Sequence, residues 1–262
     1  MSLRTIVLTG ASGGLGRALA AELAAPGRRL LLCGRDPDRL AAAAAAARAR
    51  GAEVDLLTLP LTAPAAVAAA LVAYDRRHPI DLLIANAGVK TGQEHGCEPI
   101  GESERVIAVN LTANLHIVQA VVPGMRTRGR GRIALVSSLA ALSPHADLLS
   151  YSATKAGLRA YGIALRRALR GSGVGVSVIT PGFIDTPMTD RHLGPRPLTL
   201  PPETAARIIA RGLARGRAQI AFPALLVALV RLEDLLPRPL GDWIDSFTRA
   251  RTLPDADEEA RR

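Results

Sequence analysis

Short apolar runs alternate with helix-length segments along most of this chain. The runs predict strands at 3–8, 29–33, 53–59, 80–85, 132–137 and 174–180, and the segments between them predict helices at 15–25, 36–50, 65–77, 101–125 and 150–170. Strands that are apolar throughout and separated by helices are typical of a parallel sheet that is buried on both faces. Right-handed crossovers then predict an α/β fold with a doubly wound, mostly parallel sheet.

The composition fits one globular domain. No linker rich in Pro, Gly or Ser divides the 262 residues, so we expect a single domain over 1–254 and a charged tail at 255–262. Hydrophobic residues make up 48% and charged residues 21% of the chain, which excludes a disordered protein. Two cysteines, Cys33 and Cys97, are too few for a disulfide framework or a zinc cluster, so we expect no metal.

The charge of the chain bears on its partners. A net charge of +10 favours anionic partners such as nucleic acid or a membrane. However, only 3% of the residues are aromatic, so no stacking platform for bases is visible and we expect no nucleic-acid partner. The cations are nearly all arginine, with Lys90 and Lys155 as the only lysines, which is more simply a codon bias. No apolar run reaches ~18 residues and no secretory pattern opens the chain, so we expect a cytoplasmic protein.

A glycine-rich loop follows the first strand and opens the first helix. Its sequence is Thr9-Gly10-Ala11-Ser12-Gly13-Gly14-Leu15-Gly16. Gly10 permits a tight turn, Gly14 lets the backbone approach a pyrophosphate, and Gly16 lets the helix pack close to the strand. The free N–H groups of the helix N-terminus favour a phosphate there. The loop predicts a dinucleotide site in a Rossmann fold, although Gly10, Gly13 and Gly16 also fit a GxxGxxG spacing and a glycine-rich turn without a ligand remains the alternative.

The end of the second strand bears on the choice of dinucleotide. A site for NAD carries an acidic residue here, but this chain has Gly34 followed by Arg35. Arginine binds a 2′-phosphate through its charge and its planar fork of donors. Asp36 comes one position later and is better placed to cap the next helix. We therefore expect NADP(H) in preference to NAD(H), with a merely solvated Arg35 as the alternative.

A serine, a tyrosine and a lysine form the most informative pattern. Ser138 follows the fifth strand, and Tyr151 and Lys155 stand at i and i+4 of the next helix, on one face. A tyrosine hydroxyl titrates near ~10, and a neighbouring ammonium and an oxidised nicotinamide would both lower that pKa. Such a tyrosine can exchange a proton with a carbinol or carbonyl oxygen, to which Ser138 can donate a hydrogen bond. Taken without Ser138, Tyr151 and Lys155 could instead be two neighbouring helix residues with no catalytic role.

These motifs resemble the short-chain dehydrogenase/reductases, in their short single-domain branch. The resemblance covers about residues 3–190 and includes the glycine loop, Asn86-Ala87-Gly88, Asn110, Ser138, the Tyr151–Lys155 pair, Pro181-Gly182 and Thr186. It implies an NADPH-dependent oxidoreductase that acts on a carbonyl or secondary alcohol and forms a homo-oligomer, a dimer or a tetramer. A silent NADP-binding regulator on the same fold is the alternative.

The resemblance also implies roles for individual residues. Tyr151 would be the general acid/base, Ser138 would orient the carbonyl, and Lys155 would bind the nicotinamide ribose and tune Tyr151. The backbone carbonyl of Asn110 would hold a water of the proton relay. The implied catalytic residues are Ser138, Tyr151, Lys155 and Asn110, and the implied cofactor-binding residues are Gly10, Ser12, Gly13, Gly14, Leu15, Gly16, Arg35, Leu61, Asn86, Ala87, Gly88, Tyr151, Lys155, Pro181, Gly182, Ile184 and Thr186.

The chain departs from the family pattern after the third strand. Pro60 stands where the family often has an acidic residue near the adenine, so Leu61 and apolar contact are expected to hold that ring. Three segments, 89–97, 139–149 and 187–201, are expected to line the substrate pocket. The middle one is rich in leucine (Leu139, Leu142, Leu148 and Leu149), which favours an apolar substrate. The polar exceptions, Lys90, His95 and His145, have no assigned role.

Two further features have competing interpretations. Arg126, Arg128, Arg130 and Arg132 alternate with small residues, and we interpret them as a solvated turn and not an anion site. In the C-terminal part, about 187–250, a leucine-rich segment follows a short strand at 219–222. Leu225, Leu229 and Leu232 share one helical face, so Ala224–Trp243 is predicted to be buried against the protein or a second subunit. Peripheral contact with an anionic membrane is the less favoured alternative.

Overall fold

Seven parallel strands form the central sheet. The computed structural model describes residues 3–90, 98, 100–233, 235–237, 239–240 and 251–252. The strands are β1 (Thr5–Thr9), β2 (Arg29–Gly34), β3 (Glu53–Thr58), β4 (Leu82–Ala85), β5 (Gly131–Val136), β6 (Val174–Pro181), β7 (His192–Leu193), β8 (Gln219–Phe222) and β9 (Arg251–Thr252). The sheet order is β3-β2-β1-β4-β5-β6-β8, and β7 pairs with β9 in a separate antiparallel ribbon. The predicted doubly wound Rossmann fold is thus confirmed, with every strand of the large sheet parallel.

Helices cover both faces of this sheet. They are α1 (Gly14–Leu23), α2 (Pro37–Arg48), α3 (Pro64–Arg77), α4 (Ile100–Ile107), α5 (Ala113–Thr127), α6 (Leu149–Ala168), α7 (Pro187–Asp190), α8 (Pro202–Ala214) and α9 (Ala224–Glu233). One core packs α1, α2 and α8 on the sheet, and the other packs α3, α5 and α6 on the opposite face. Within β1, Ile6 and Leu8 enter the first core and Val7 the second, which is why the middle of the strand is apolar without alternation.

The helix predicted at 101–125 is longer and less regular than expected. It runs as α4, a π-helical turn at Ala108–Thr112, and α5. The continuous stretch Ile100–Thr127 is long and apolar enough to cross a membrane by length and composition, although it contains no unbroken run of ~18 apolar residues. Its buried residues, among them Val106, Ile117 and Val121, lie inside the protein, as in the core helix of a globular domain.

The arginine-rich turn before β5 is less solvated than expected. The guanidinium of Arg128 donates to both carboxylate oxygens of Asp75, at 2.8 and 2.9 Å, and to the backbone oxygen of Ile80 at 3.2 Å. The guanidinium of Arg132 donates to the backbone oxygen of Leu213. Arg126 and Arg130 are exposed, as a solvated turn requires. The interpretation is therefore wrong for Arg128 and Arg132, which join distant elements of the domain.

Helix α9 buries only one side of its surface within the described part of the chain. Val227 is buried, and Leu226 lies beside Gly182. Leu225, Leu229 and Leu232 are 61%, 53% and 59% exposed. The predicted burial of this helix against the protein is therefore wrong for its leucine face, and cover by a second subunit stays a prediction. Trp243 and the charged tail at 255–262 lie outside the described residues.

Candidate active site

The glycine loop sits at the carboxyl end of β1, whose neighbours in the sheet are β2 and β4. Gly10 has a φ of +64°, and a Cβ there would lie 2.8 Å from the Cα of Ala87. A Cβ on Gly16 would collide with the carbonyl oxygen of Gly10. Both positions therefore require glycine, the first for a turn and the second for close helix packing, as predicted. Gly14 is restricted for an additional reason, because its Cβ would lie 2.6 Å from Cγ2 of Thr186.

The N-terminus of α1 has the features of a phosphate site. Gly13 occupies the N-cap position without a side-chain cap, and the first turn contains no acidic residue. The first N–H groups of a helix lack intrahelical acceptors and attract anions. Leu15 packs on the core behind them, while Ser12 lies at the loop tip beside Gly34 of β2. The residues present fit a dinucleotide pyrophosphate, because nothing in this first turn competes for its donors.

The ends of β1 and β4 are locked together by side-chain hydrogen bonds. The Asn86 amide donates to the backbone oxygens of Thr9 and Gly10 at 3.1 and 3.2 Å. The hydroxyl of Thr9 in turn accepts from the backbone N–H groups of Asn86 and Ala87, both at 3.1 Å. Asn86 thus supports the central strands as the resemblance implies. Thr9, which is fully buried, is a supporting residue that sequence reasoning did not single out.

The end of β2 places Arg35, the predicted partner of a 2′-phosphate, near the glycine loop. Arg35 follows Gly34 directly and is exposed. Asp36 accepts a hydrogen bond from the backbone N–H of Arg39 at 3.0 Å, so its predicted role as the cap of α2 is confirmed. Leu61, beyond β3, is half-buried against the second core. These positions border the loop, but their contact with a nucleotide remains a prediction.

Tyr151 and Lys155 lie on one face of α6 beside Ser138. The Lys155 ammonium is 5.6 Å from the centre of the Tyr151 ring. Burial raises the pKa of Tyr151, and a hydrogen bond with Ser138 acts in the opposite direction. The protein's own groups thus leave the pKa of Tyr151 above its ordinary value. The prediction that the Lys155 ammonium lowers this pKa below its ordinary value is therefore wrong for the protein without cofactor. The predicted contribution of an oxidised nicotinamide is a separate effect.

Lys155 is held between two strands and the helix. Its ammonium donates to the backbone oxygen of Val136 at 3.0 Å, and the Ser137 hydroxyl donates to its carbonyl at 2.8 Å. Only 4% of Lys155 is exposed, and burial lowers its pKa to about 8. A Cβ on Gly88 would lie 3.2 Å from the ammonium, so glycine lets the end of β4 approach it.

Asn110 lies in the π-helical turn and joins it to β4. Its amide donates to the backbone oxygen of Val89 at 2.9 Å, and its side-chain oxygen accepts from the Val89 N–H at 2.7 Å. The backbone oxygen of Asn110 accepts a hydrogen bond from Asn114 at 2.9 Å. The water that the resemblance implies at this oxygen stays a prediction. Asn114 was missed, although its i+4 spacing from Asn110 could have indicated it.

The loop after β6 closes the other side of the site. Pro181 ends the strand, and the Gly182 N–H donates to the backbone oxygen of Phe222 at 2.8 Å. Ile184 is buried and pairs with Leu200 in an isolated β-bridge. Thr186 occupies the N-cap position of α7 without a side-chain cap, and its hydroxyl lies 3.3 Å from that of Thr189. The structure therefore brings this loop beside Gly14, as a continuous cofactor site requires.

The predicted pocket segments are present in part. Leu139 and Leu148 are buried, Leu142 is half-buried, and Leu149 is 47% exposed. The backbone N–H of His145 donates to the Ser152 hydroxyl at 3.3 Å. His95 and Cys97 lie outside the described residues.

Comparison with known proteins identifies close counterparts of this architecture. The sequence profile of the short chain dehydrogenase family matches residues 4–194 of this chain. An uncharacterized oxidoreductase of Myxococcus xanthus is 37% identical over 92% of this chain and 96% of its own length. A 1-deoxy-11-beta-hydroxypentalenate dehydrogenase of Streptomyces avermitilis is 38% identical over 74% of each chain.

Solved structures show the same fold with nicotinamide cofactors. A short-chain dehydrogenase from Sphingobium yanoikuyae in complex with NADPH is 28% identical, with a TM-score of 0.79 over 94% of this chain and 97% of that one. A metagenomic short-chain oxidoreductase in complex with NADP is 32% identical, with a TM-score of 0.71 over 84% and 95%. A Burkholderia phymatum relative in complex with NAD is 26% identical, with a TM-score of 0.79 over 89% and 94%.

Proposed function

Because this chain belongs to the short-chain dehydrogenase family of oxidoreductases, we propose that it is an NADPH-dependent enzyme that transfers a hydride between nicotinamide and the carbonyl or secondary alcohol of an apolar small molecule. The observation that carries the proposal is the juxtaposition of Ser138, Tyr151 and Lys155 beside the Asn110 turn. The buried leucines of the middle pocket segment support an apolar substrate. The hydroxylated compound in the name of the Streptomyces relative supports an alcohol or its ketone.

The chain's own groups can manage the proton. Bound NADP(H) would supply or accept the hydride, and the Tyr151 hydroxyl would give its proton to the carbonyl oxygen or take one from the alcohol. Ser138 already shares a hydrogen bond with Tyr151, so an oxygen placed against both hydroxyls would be oriented for that exchange. Burial holds Tyr151 protonated, which suits the direction of carbonyl reduction. The ammonium of Lys155 and a water on the backbone oxygen of Asn110 would offer a route for replacing the proton.

The preference for NADPH rests on the end of β2. Arg35 is exposed beside the glycine loop, at the position where an acidic residue would favour the ribose hydroxyls of NAD. Two of the similar structures hold NADPH or NADP, and one holds NAD. An exposed guanidinium at this position favours the additional phosphate of NADPH by charge and by its planar donors.

The test is coenzyme oxidation with a panel of aldehydes and ketones. We expect NADPH to be consumed with at least one apolar carbonyl compound, and NADP⁺ to be reduced with the matching alcohol. A silent regulator would bind NADPH, detected by its fluorescence, and turn over none of the panel in either direction. That second result would overturn the enzymatic proposal and favour the regulator on the same fold.

We further infer that the enzyme works in the cytoplasm as a homo-oligomer and needs no nucleic acid. The exposed face of Leu225, Leu229 and Leu232 supports a second subunit, because an apolar patch of this kind is costly in water. Peripheral membrane contact through the same face remains the less favoured alternative. Size-exclusion chromatography with light scattering, together with liposome pelleting, separates the two.

A further inference from the structure

The protein has two lysines, and both are buried. Every other cation of the 33 Lys and Arg residues is an arginine. Lys155, which belongs to the catalytic group, is 4% exposed, and Lys90 is 7% exposed. Burial lowers the pKa of both to about 8. A buried ammonium is costly unless it is paired, so Lys90 calls for a physical explanation that the proposed reaction does not supply.

The backbone just before Lys90 is held against residues of the proposed catalytic group. The residue before it, Val89, is held at both its N–H and its carbonyl by Asn110. Two residues before it, Gly88 lies against the ammonium of Lys155. The backbone that presents Lys90 is therefore fixed relative to the reacting centre, at the start of the first predicted pocket segment.

His192 holds the ammonium of Lys90. The Nζ atom lies 3.4 Å from Nδ1 of His192, which is 3% exposed. The His192 ring packs at a tilt against that of Phe183, with 5.1 Å between the ring centres. Burial and the charge of Lys90 lower the pKa of His192 to about 4, so the ring is neutral near pH 7 and accepts from the ammonium. The charge of Asp147 and the backbone of Pro195 act on this pKa in the opposite direction. His192 positions the cation but does not neutralise it.

The charges around Lys90 leave room for an anion. An ammonium has three N–H donors, and within the described part of the chain one of them has a hydrogen-bond partner, the His192 ring. Asp147 is the anionic group that raises the pKa of Lys90, while Arg191 and Arg196 lower it. Asp147 is half-buried and four residues before Tyr151. The three segments predicted to line the pocket thus each supply one group, Lys90, Asp147 and His192.

We propose that Lys90, positioned by His192, binds a carboxylate on the substrate, so that the enzyme acts on an apolar oxo acid or hydroxy acid. This inference rests on the proposed function and adds the substrate class. Lys90, Arg191 and Arg196 face the two carboxylates of Asp147 and Asp190, so one positive charge stays unbalanced and matches a single negative charge. The buried leucines of the middle segment suit an apolar carbon skeleton. A phosphate monoester offers the same oxygen chemistry, and the experiment separates the two.

The first test reads the lysine directly. Because the chain has two lysines, protein labelled with ¹⁵N-lysine has two Nζ resonances, which either K90M or K155M assigns. With NADP⁺ at saturation, decanoate is expected to shift the Lys90 resonance, whereas methyl decanoate leaves it in place. A shift with inorganic phosphate but not with decanoate would overturn the carboxylate proposal and indicate that Lys90 binds a phosphate group of the substrate instead. A Lys90 resonance that neither anion moves would overturn the proposal, whatever the enzyme's activity.

The second test is a specificity ratio. Oxo acids and their methyl esters are compared as substrates of the wild type, K90M and Arg166→Met, a control that removes an exposed cation from α6. We expect the acid-to-ester ratio of kcat/KM to fall at least ~10-fold in K90M and to stay constant in the control, because a buried charge loses its partner only in the former. An unchanged ratio in K90M would refute the carboxylate site alone. If no carbonyl compound is reduced at all, the proposed function fails, and the resonance shift still decides whether Lys90 binds an anion.

Discussion

Tyr151→Phe separates the chemistry of the site from its packing. The substitution removes one oxygen atom and leaves the half-buried ring in place on α6. In the folded protein that hydroxyl shares a hydrogen bond with Ser138, whose oxygen also accepts from the Ala140 N–H at 3.2 Å. Ser138 therefore keeps one partner in the variant, and the surrounding backbone has no reason to move.

The expected magnitudes differ strongly between stability and rate. Losing one hydrogen bond of this kind costs about 0.5–1.5 kcal/mol, which corresponds to a fall in Tm of at most about 6 °C for a domain of this size. A general acid contributes ~10²–10⁴-fold to the rate, equivalent to about 2.7–5.5 kcal/mol of activation free energy. The variant should thus fold, bind NADPH nearly as tightly as the wild type, and lose almost all turnover.

Tyr161→Phe is the matched control, because it removes the same atom from the same helix. Tyr161 is half-buried against the second core and has no place in the site. Turnover of a reactive ketone, NADPH affinity by fluorescence and thermal unfolding are measured for both variants. Tyr161→Phe should keep turnover within about twofold of the wild type. If Tyr151→Phe retains more than about a third of the wild-type turnover, Tyr151 is not the general acid.

Three further outcomes test other parts of the structure. The wild type should prefer NADPH over NADH by about tenfold or more, and Arg35→Asp should erase or reverse that preference, since a charge-assisted hydrogen bond is worth roughly 1.5–3 kcal/mol; equal affinities in the wild type would count against it. Asn110→Ala should lower the free energy of unfolding by about 2–5 kcal/mol in urea titrations, because both backbone groups of Val89 lose a buried partner; a change under about 1 kcal/mol would show that water replaces the clamp. A chain truncated before Ala224 should be insoluble, or monomeric by light scattering and nearly inactive in turnover assays. If the truncated chain is soluble, keeps its oligomeric state and is active while the full-length protein pellets with anionic liposomes, the membrane alternative is favoured.

Local patterns predicted most of the architecture. Apolar runs identified the strands of the sheet because parallel strands are buried on both faces, so Ile6 and Val7 are adjacent and both fully buried. Tyr151 and Lys155 could be paired from the sequence because helical spacing alone brings i and i+4 together. Glycine roles at Gly10 and Gly16 followed from where the loop stands between a strand and a helix.

Long-range contacts could not be predicted in this way. The π-helical turn at Asn110 accompanies hydrogen bonds to Val89, which lies 21 positions away, and no local propensity encodes them. The pair of Lys90 and His192 spans 102 positions. Arg128 reads as a solvated turn residue because its partner, Asp75, is 53 positions away. The pKa of Tyr151 was misjudged for a related reason, since spacing reveals the neighbouring charge but not the extent of burial.

The choice of lysine at positions 90 and 155 is itself physical information. A buried arginine brings five N–H donors that all need acceptors and keeps its charge at any ordinary pH, whereas an ammonium is compact and changes its pKa readily. The Lys155 ammonium donates one N–H to the backbone oxygen of Val136 and lies beside the Tyr151 ring. The Lys90 ammonium donates one N–H to His192, and Lys90 directly follows Val89, the residue that Asn110 holds. In a chain that uses arginine for its other cations, both lysines are thus buried, one beside Tyr151, the proposed general acid, and one where we propose that the carboxylate of the substrate binds.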